Sequence, residues 1–409
     1  MDIQPFRISV PDDDLVELQR RVWSARWPAP SPEPGWGRGV PLDHLRDLAS
    51  YWADGYDWRR HEAALNELPQ AVATVHGQQI HLLHVRSPEP DALPIVLTHG
   101  WPSSPVEFLR VIGPLTDPAA YGGDPADAFH VVAPGLPGYG LSTPLAGPGW
   151  GNLFRVGAVW ADLMAALGYD RFAVHGTDAG AGAAGGLAMA APDRVAGVHL
   201  TGTTAAMPFG PPVPTEGLDD ADRARIERFN AYQAEGIGYL HLMATRPQTL
   251  AYALSDSPVA HLAWILEKFH EWTDPAAQLP HDAVDIDQLL TLVTLAWFTQ
   301  AGASSAHAVY EGMQAYRQMA SGQEGDGQHG GGDGDEPGDG AGPPFGVAVF
   351  AADTTVRSVM DPAGQFSHWT EYQVGGHFPA MEVPDILVDD LRTFFRPQRE
   401  PDRLTVAPA

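Results

Sequence analysis

The stretch "RFAVHGTDAGAG", residues 171–182, decides how this chain is read. Residues 171–176 form a short apolar run typical of a buried strand, and a helix of small residues is expected over 180–191. Between them Gly176, Asp178 and Gly180 make a Gly-x-Asp-x-Gly corner with one carboxylate at its apex. That spacing suits a sharp strand-to-helix turn, which lifts the side chain at its apex into a cavity. Serine is the usual occupant of such a corner. An aspartate there changes the chemistry, because a carboxylate attacks an sp³ carbon to form an alkyl ester, whereas serine exchanges acyl groups.

Outward from this corner the chain alternates strands and helices. "QQIHLLHVR" (78–86), "LPIVLTHG" (93–100), "FHVVAPGLPGYG" (129–140) and "VAGVHL" (195–200) read as strands, and 152–168 as a helix. Such alternation predicts an α/β fold with a doubly wound, mostly parallel sheet. From 215 to about 320 the pattern is helical, after which "GVAVFAAD" (346–353) and "HWTEYQVGGHF" (368–378) restore strands. The expected organisation is therefore an N-terminal wrapping segment (1–70), a core in two parts (71–214 and 345–409) and an inserted helical lid (215–320). A fifth segment (321–344) is rich in Gly, Asp, Glu and Pro and has too few apolar side chains to offset its ordering entropy. It is expected to be a flexible acidic insertion. A calcium-loop reading of its aspartates lacks the required spacing and terminal Glu.

Composition narrows the function classes. With 409 residues and 44% hydrophobic content, the chain is long enough for a large core with a lid. A formal net charge of −27 argues against nucleic acid and anionic membrane surfaces as partners. Cysteine is absent, which excludes disulfides, thiolate catalysis and Cys-ligated zinc. No basic-apolar leader opens the chain and no apolar run is long enough to span a bilayer, so a cytoplasmic location without membrane contact is expected. Lys268 is the only lysine, set against abundant Arg, Ala, Gly and Asp, a bias that points to a GC-rich genome.

Two residues and one segment join Asp178 at expected C-terminal strand ends, where such sheets hold their chemistry. Asp353 follows "GVAVFAA", His377 follows "YQVGG", and "HGWPSS" (99–104) follows an earlier strand. The chain order of nucleophile, acid and histidine is that of an α/β-hydrolase-fold triad. In this arrangement the backbone N–H groups of Trp101 and Ala179 would form an oxyanion hole. Each residue also has an ordinary role open to it: Asp178 as a turn former, Asp353 as a cap, His377 as a packed ring. Their joint order and placement favour the catalytic reading. His84, His130 and His199 read as structural strand residues. The substrate would be a haloalkane or an epoxide. Ala179, where a halide-binding tryptophan would stand, weakens the first, and an epoxide needs an acid for its oxygen, such as a lid tyrosine.

Long segments resemble the microsomal-type epoxide hydrolases, including soluble bacterial members from secondary-metabolite (enediyne or polyketide) pathways. They are "PFRISVPDDDLVELQRRVWSARWP" (5–28), "YWADGYDWRRHEAALNELPQ" (51–70), "LTHGWPSSPVEFLRVIGPLTDP" (97–118), "GYLHLMATRPQTLAYALSDSPVAHLAWILEKFHEWTD" (238–274) and "GGHFPAMEVPDILVDDLRTFF" (375–395). The resemblance implies Asp178 as nucleophile, His377 as the base that activates water, Asp353 as its orienting carboxylate and Tyr239 as a lid acid. It implies no cofactor and no metal, a small hydrophobic epoxide as substrate, and the homodimer that members often form. Departures accompany it. Ala179 replaces the usual tryptophan, Met243 a glutamine and Thr201 an asparagine. In "SSAHAVYE" (304–311) Val309 stands at the second lid tyrosine, leaving Tyr310, one residue on, as a candidate substitute. These changes suggest a wider site for a bulky, polyketide-like substrate. Two other readings remain open: an epoxide-opening cyclase that uses an internal nucleophile, and a non-catalytic resistance protein that sequesters a reactive metabolite.

Overall fold

The computed structural model describes residues 1–206, 208–320 and 342–399; most of the expected acidic insertion and the last ten residues lie outside them. Among the described residues nine strands form one sheet: β1 (Asp2–Pro5), β2 (Gln70–Val75), β3 (Gln78–Val85), β4 (Leu93–Thr98), β5 (Phe129–Pro134), β6 (Phe172–Thr177), β7 (Val195–Thr201), β8 (Phe345–Val349) and β9 (His368–Glu371). Their order is β1-β2-β3-β5-β4-β6-β7-β8-β9. The pairings from β5 through β4 to β9 are parallel, while β1, β2 and β3 make an antiparallel edge against β5. The sheet is mixed, and its parallel part carries the α/β-hydrolase layout. Strands β4, β5 and β6 are short and almost wholly buried, as expected for strands covered on both faces by helices.

One apolar layer, including Phe108, Val111, Phe129, Leu391 and Phe395, packs against one face of the sheet, and another, including Trp160, Leu163, Phe172 and Leu187, against the other. A third cluster joins the N-terminal segment to the lid. Leu18, Val22, Trp52 and Trp58 pack with Leu262, Leu266, Phe269 and Val293. Each such buried side chain contributes on the order of 1.5–3 kcal/mol. The Trp52 indole N–H donates to Thr294 Oγ1 (2.7 Å), and Tyr56 shares a 2.8 Å hydrogen bond with Thr291, so the polar tips of these two side chains are satisfied. The N-terminal segment thus grips the lid through its tryptophans, and also lengthens the sheet through β1.

Three expectations are corrected. Strand β2 is additional to the expected strands and pairs with the expected β3 in a hairpin; the turn at His76 and Gly77 has positive φ at both residues, as tight hairpins require. Strand β8 ends at Val349 rather than 353. Strand β9 ends at Glu371 rather than 378, so His377 lies in a loop beyond it. Gly376 makes that loop feasible, because a Cβ there would lie 2.3 Å from the Trp272 carbonyl oxygen.

Candidate active site

The loops at the C-terminal ends of β4, β6, β7 and β8 and the loop after β9 converge beneath the lid. At the centre is the corner after β6. Asp178 has φ 52° and ψ −122°, outside the comfortable regions for a side-chain-bearing residue, and leads directly into the helix Ala179–Ala190. A backbone held this way costs about 1–3 kcal/mol and persists only where its surroundings enforce it. Here they do. A Cβ on Gly176 would sit 2.2 Å from the Gly180 carbonyl oxygen, and one on Gly180 would sit 2.0 Å from that of Thr98. The two glycines are steric requirements of the turn.

The turn leaves the carboxylate uncapped by its own helix and facing the loop after β4 and the histidine loop. Asp178 Oδ1 accepts the Trp101 N–H at 2.8 Å, and Oδ2 lies 3.7 Å from His377 Nε2. The His377 N–H donates to the Trp272 carbonyl at 2.8 Å, tying the loop after β9 to the lid. Burial lowers the imidazole's affinity for a proton and the Asp178 charge partly restores it; the net shift is downward, so the ring is neutral at neutral pH.

Asp353 is buried on the same side, with Oδ2 accepting the Phe350 N–H at 2.8 Å. Burial pushes its carboxyl up to about 7. It neither hydrogen-bonds nor forms an ion pair with His377 in this structure, so the expected carboxylate–imidazole contact is not made. Glu107, also buried, is pushed by burial up to about 8 and is held in its acid form at neutral pH.

Tyr239 stacks on Trp101, with centroids 4.9 Å apart, and meets Trp272 edge-on at 5.4 Å. The Lys268 ammonium lies 4.6 Å from the Tyr239 ring centre and is paired with Glu267 (2.7 Å) and Glu271 (2.6 Å). The Tyr239 hydroxyl shares a 2.9 Å hydrogen bond with that of Tyr232. Burial drives the Tyr239 phenol well above its ordinary value and Tyr232 up to about 12.

Asp178 opens onto two chambers. One, of about 710 Å³, is walled largely by apolar side chains such as Leu136, Trp150, Phe154, Leu240, Met243 and Val309, and includes Trp101 and Ala179. The other, of about 700 Å³, holds His377 and Asp353 with Arg228, Glu267, Lys268 and Glu271. Asp178, Thr203, Thr204, Tyr232 and Tyr239 border both. The sequence-derived residues therefore meet, with one exception. Tyr310 is 36% exposed and lines neither chamber; Val309 takes the inward position. One residue of an α-helix rotates the side chain by about 100°, which is why the displaced tyrosine faces away. Tyr232 was not singled out in the sequence. Its signal was its position seven residues, about two helical turns, before Tyr239.

Among the described residues, one His/Asp group has the spacing to hold a metal ion: His199, His368 and Asp390, with ligand atoms within 4.8 Å of one another. These groups already bond among themselves, with His199 Nε2 2.7 Å and His368 Nε2 3.0 Å from Asp390 Oδ2, and they line neither chamber. The catalytic-type cluster consists of carboxylate, imidazole and phenol, which suffices for attack on a carbon, protonation of a leaving oxygen and activation of water.

This fold with this corner defines an α/β-hydrolase, and the relatives specify it further. Residues 3–108 match the profile "Epoxide hydrolase N terminus" and residues 94–257 match "alpha/beta hydrolase fold". The chain is 40% identical over 400 residues to a Stigmatella aurantiaca protein carrying an epoxide hydrolase name, covering 97% of this chain and 86% of that protein. It is 29% identical to epoxide hydrolase 1 of Sus scrofa, over 96% of this chain and 88% of that one. The solved structure of Aspergillus niger epoxide hydrolase superposes with a TM-score of 0.78 at 28% identity, covering 96% of both chains. The chain belongs to the epoxide hydrolase family of the α/β-hydrolase superfamily, and it is an enzyme of that class. No helix among the described residues is long and apolar enough to cross a membrane.

Proposed function

We propose that this enzyme opens a bulky apolar epoxide through an ester on Asp178, which water then hydrolyses. The observation that carries this reading is the division of the Asp178 carboxylate: Oδ1 is held by the Trp101 N–H at 2.8 Å, while Oδ2 faces His377 Nε2 at 3.7 Å. Oδ2 attacks an epoxide carbon lying in the apolar chamber. The C–O bond breaks and its electron pair moves to the epoxide oxygen, which takes the Tyr239 proton. Oδ1 becomes the ester carbonyl oxygen. His377 then removes a proton from water in the polar chamber, and the hydroxide attacks the ester carbon. The charge that develops on Oδ1 is met by the N–H groups of Trp101 and Ala179. Asp353, in the same chamber but without a direct bond to His377, supplies the negative charge that favours His377⁺ as it forms.

Substrate size follows from the apolar chamber. At about 710 Å³ it lies in the upper part of the range of small-molecule sites, and Ala179 leaves open the space that a tryptophan would fill. A polycyclic or polyketide-derived epoxide fits this description. The test is turnover of styrene oxide against a larger diaryl epoxide. Vicinal diol from both, with the larger favoured in kcat/KM, supports the reading. Saturable binding without product, or a cyclised isomer without diol, contradicts it.

A further inference from the structure

Opening an epoxide leaves a phenolate on Tyr239, and a buried phenolate without a partner is costly. The residue at the expected second tyrosine position, Val309, cannot donate a hydrogen bond, and Tyr310 does not reach the chamber. We propose that Tyr232 is the second phenol of this site, holding the Tyr239 oxygen by hydrogen bond as Tyr239 gives its proton to the epoxide oxygen. This rests on the epoxide-opening reading above.

Four observations support it. The two hydroxyls are 2.9 Å apart, and both side chains line the chambers that meet at Asp178. Tyr232 begins a π-helical turn, Tyr232–Gly236, between the helices Asp220–Ala231 and Gly238–Met243; such turns re-aim side chains and recur at functional sites. Gly236 makes room for the ring, since a Cβ there would lie 2.7 Å from Tyr232 Cδ2. Finally, the Lys268 ammonium over the Tyr239 ring favours the electron-rich phenolate form.

The protons balance. The epoxide oxygen takes the Tyr239 proton, and the phenolate accepts the Tyr232 hydrogen bond. One proton of the attacking water passes through His377 to the second product oxygen. The other is released when Asp178 regains its carboxylate and returns to Tyr239.

The experiment measures the two half-reactions separately with styrene oxide, following ester formation and decay by rapid-quench intact mass. Tyr232→Phe is expected to slow ester formation by on the order of 10- to 100-fold, the range for a hydrogen bond to a charged group, while ester decay keeps its rate. Tyr310→Phe is expected to change neither step. Adding Val309→Tyr to Tyr232→Phe places a phenol back on the chamber wall and is expected to recover ester formation, which a purely structural role for Tyr232 would not permit. Ester formation at the wild-type rate in Tyr232→Phe, equal slowing of both steps, or a loss that Val309→Tyr leaves untouched overturns the proposal. Wild-type enzyme that forms neither ester nor diol overturns the epoxide reading itself, a result distinct from a failure at Tyr232 alone.

Discussion

The two chambers that meet at Asp178 are nearly equal in size, about 710 and 700 Å³, and differ in character: the first is mostly apolar, the second mixed and lined by charged side chains. The apolar one is lined by Ala179 and Val309, the positions at which the resemblance implies a tryptophan and a tyrosine. The polar one keeps His377, Asp353 and the Lys268–Glu271 pair. In the proposed mechanism the difference divides the reaction: carbon–oxygen cleavage belongs to the apolar side, where a hydrophobic substrate is held, and ester hydrolysis to the polar side, where water has partners. The wall between them, Asp178 with the Tyr232–Tyr239 pair, serves both. Changes on the apolar side are therefore free to alter substrate choice without touching the water-handling groups.

The most severe way to break this division is to remove the group common to both sides. Asp178→Asn is expected to abolish turnover while leaving the circular dichroism spectrum unchanged, because an amide is a poor nucleophile towards an epoxide carbon. Assays on freshly purified protein are needed, since a competent His377 and water would convert the amide back to aspartate. Next is the acid. Tyr239→Phe is expected to lower the rate of ester formation by about 10²–10⁴-fold, the usual contribution of one proton donor. Equal rates in wild type and Tyr239→Phe would remove the phenol from the mechanism.

The polar side is sharpened by pH. Burial raises the Asp353 carboxyl to about 7 and lowers His377. On acidification Asp353 therefore takes up a proton first, near pH 7, while His377 is still neutral. If the Asp353 charge favours the imidazolium as it forms, kcat/KM falls below about pH 7 in the wild type. In Asp353→Asn that limb is expected to disappear, leaving a lower plateau that falls only at more acidic pH, through His377. An identical limb in both enzymes would exclude Asp353 from this role. The smallest effect is expected on the apolar side. Ala179→Trp narrows the chamber and should reduce kcat/KM for a diaryl epoxide by roughly 10- to 200-fold, the span that pocket shape alone provides, while sparing styrene oxide. Equal losses on both substrates would mean that the chamber does not select by size.

The elbow and the lid differed in how legible they were. Gly176-x-Asp178-x-Gly180 could be read directly, because its geometry is dictated by backbone sterics: Gly176 has no room for a side chain against Gly180 across the turn, and Gly180 none against Thr98. The order Asp178, Asp353, His377 could be read for a similar reason, since each residue follows a strand of a parallel sheet. The end of β9 could not, because the chain leaves the sheet to meet Trp272, a lid residue about 100 positions earlier. Tyr232 is not legible in the same way: the substitution at Val309 shows in the sequence, but the π-helical turn that sets the Tyr232 ring beside Tyr239 does not. The displacement of Tyr310 was visible as a one-residue shift, and helix geometry turned that shift into a loss.

The central claim is that the epoxide carbon bonds to Asp178 before water enters. The direct measurement is a single turnover in ¹⁸O-water with enzyme in excess, followed by mass analysis of the diol and of the peptide containing Asp178, alongside the His377→Gln variant. The account predicts a largely unlabelled first diol, ¹⁸O in the Asp178 peptide, and an alkyl adduct that accumulates on intact His377→Gln protein. A first-turnover diol carrying the label, with none in the peptide and no adduct on the variant, would show that water attacks the epoxide directly, and would contradict it.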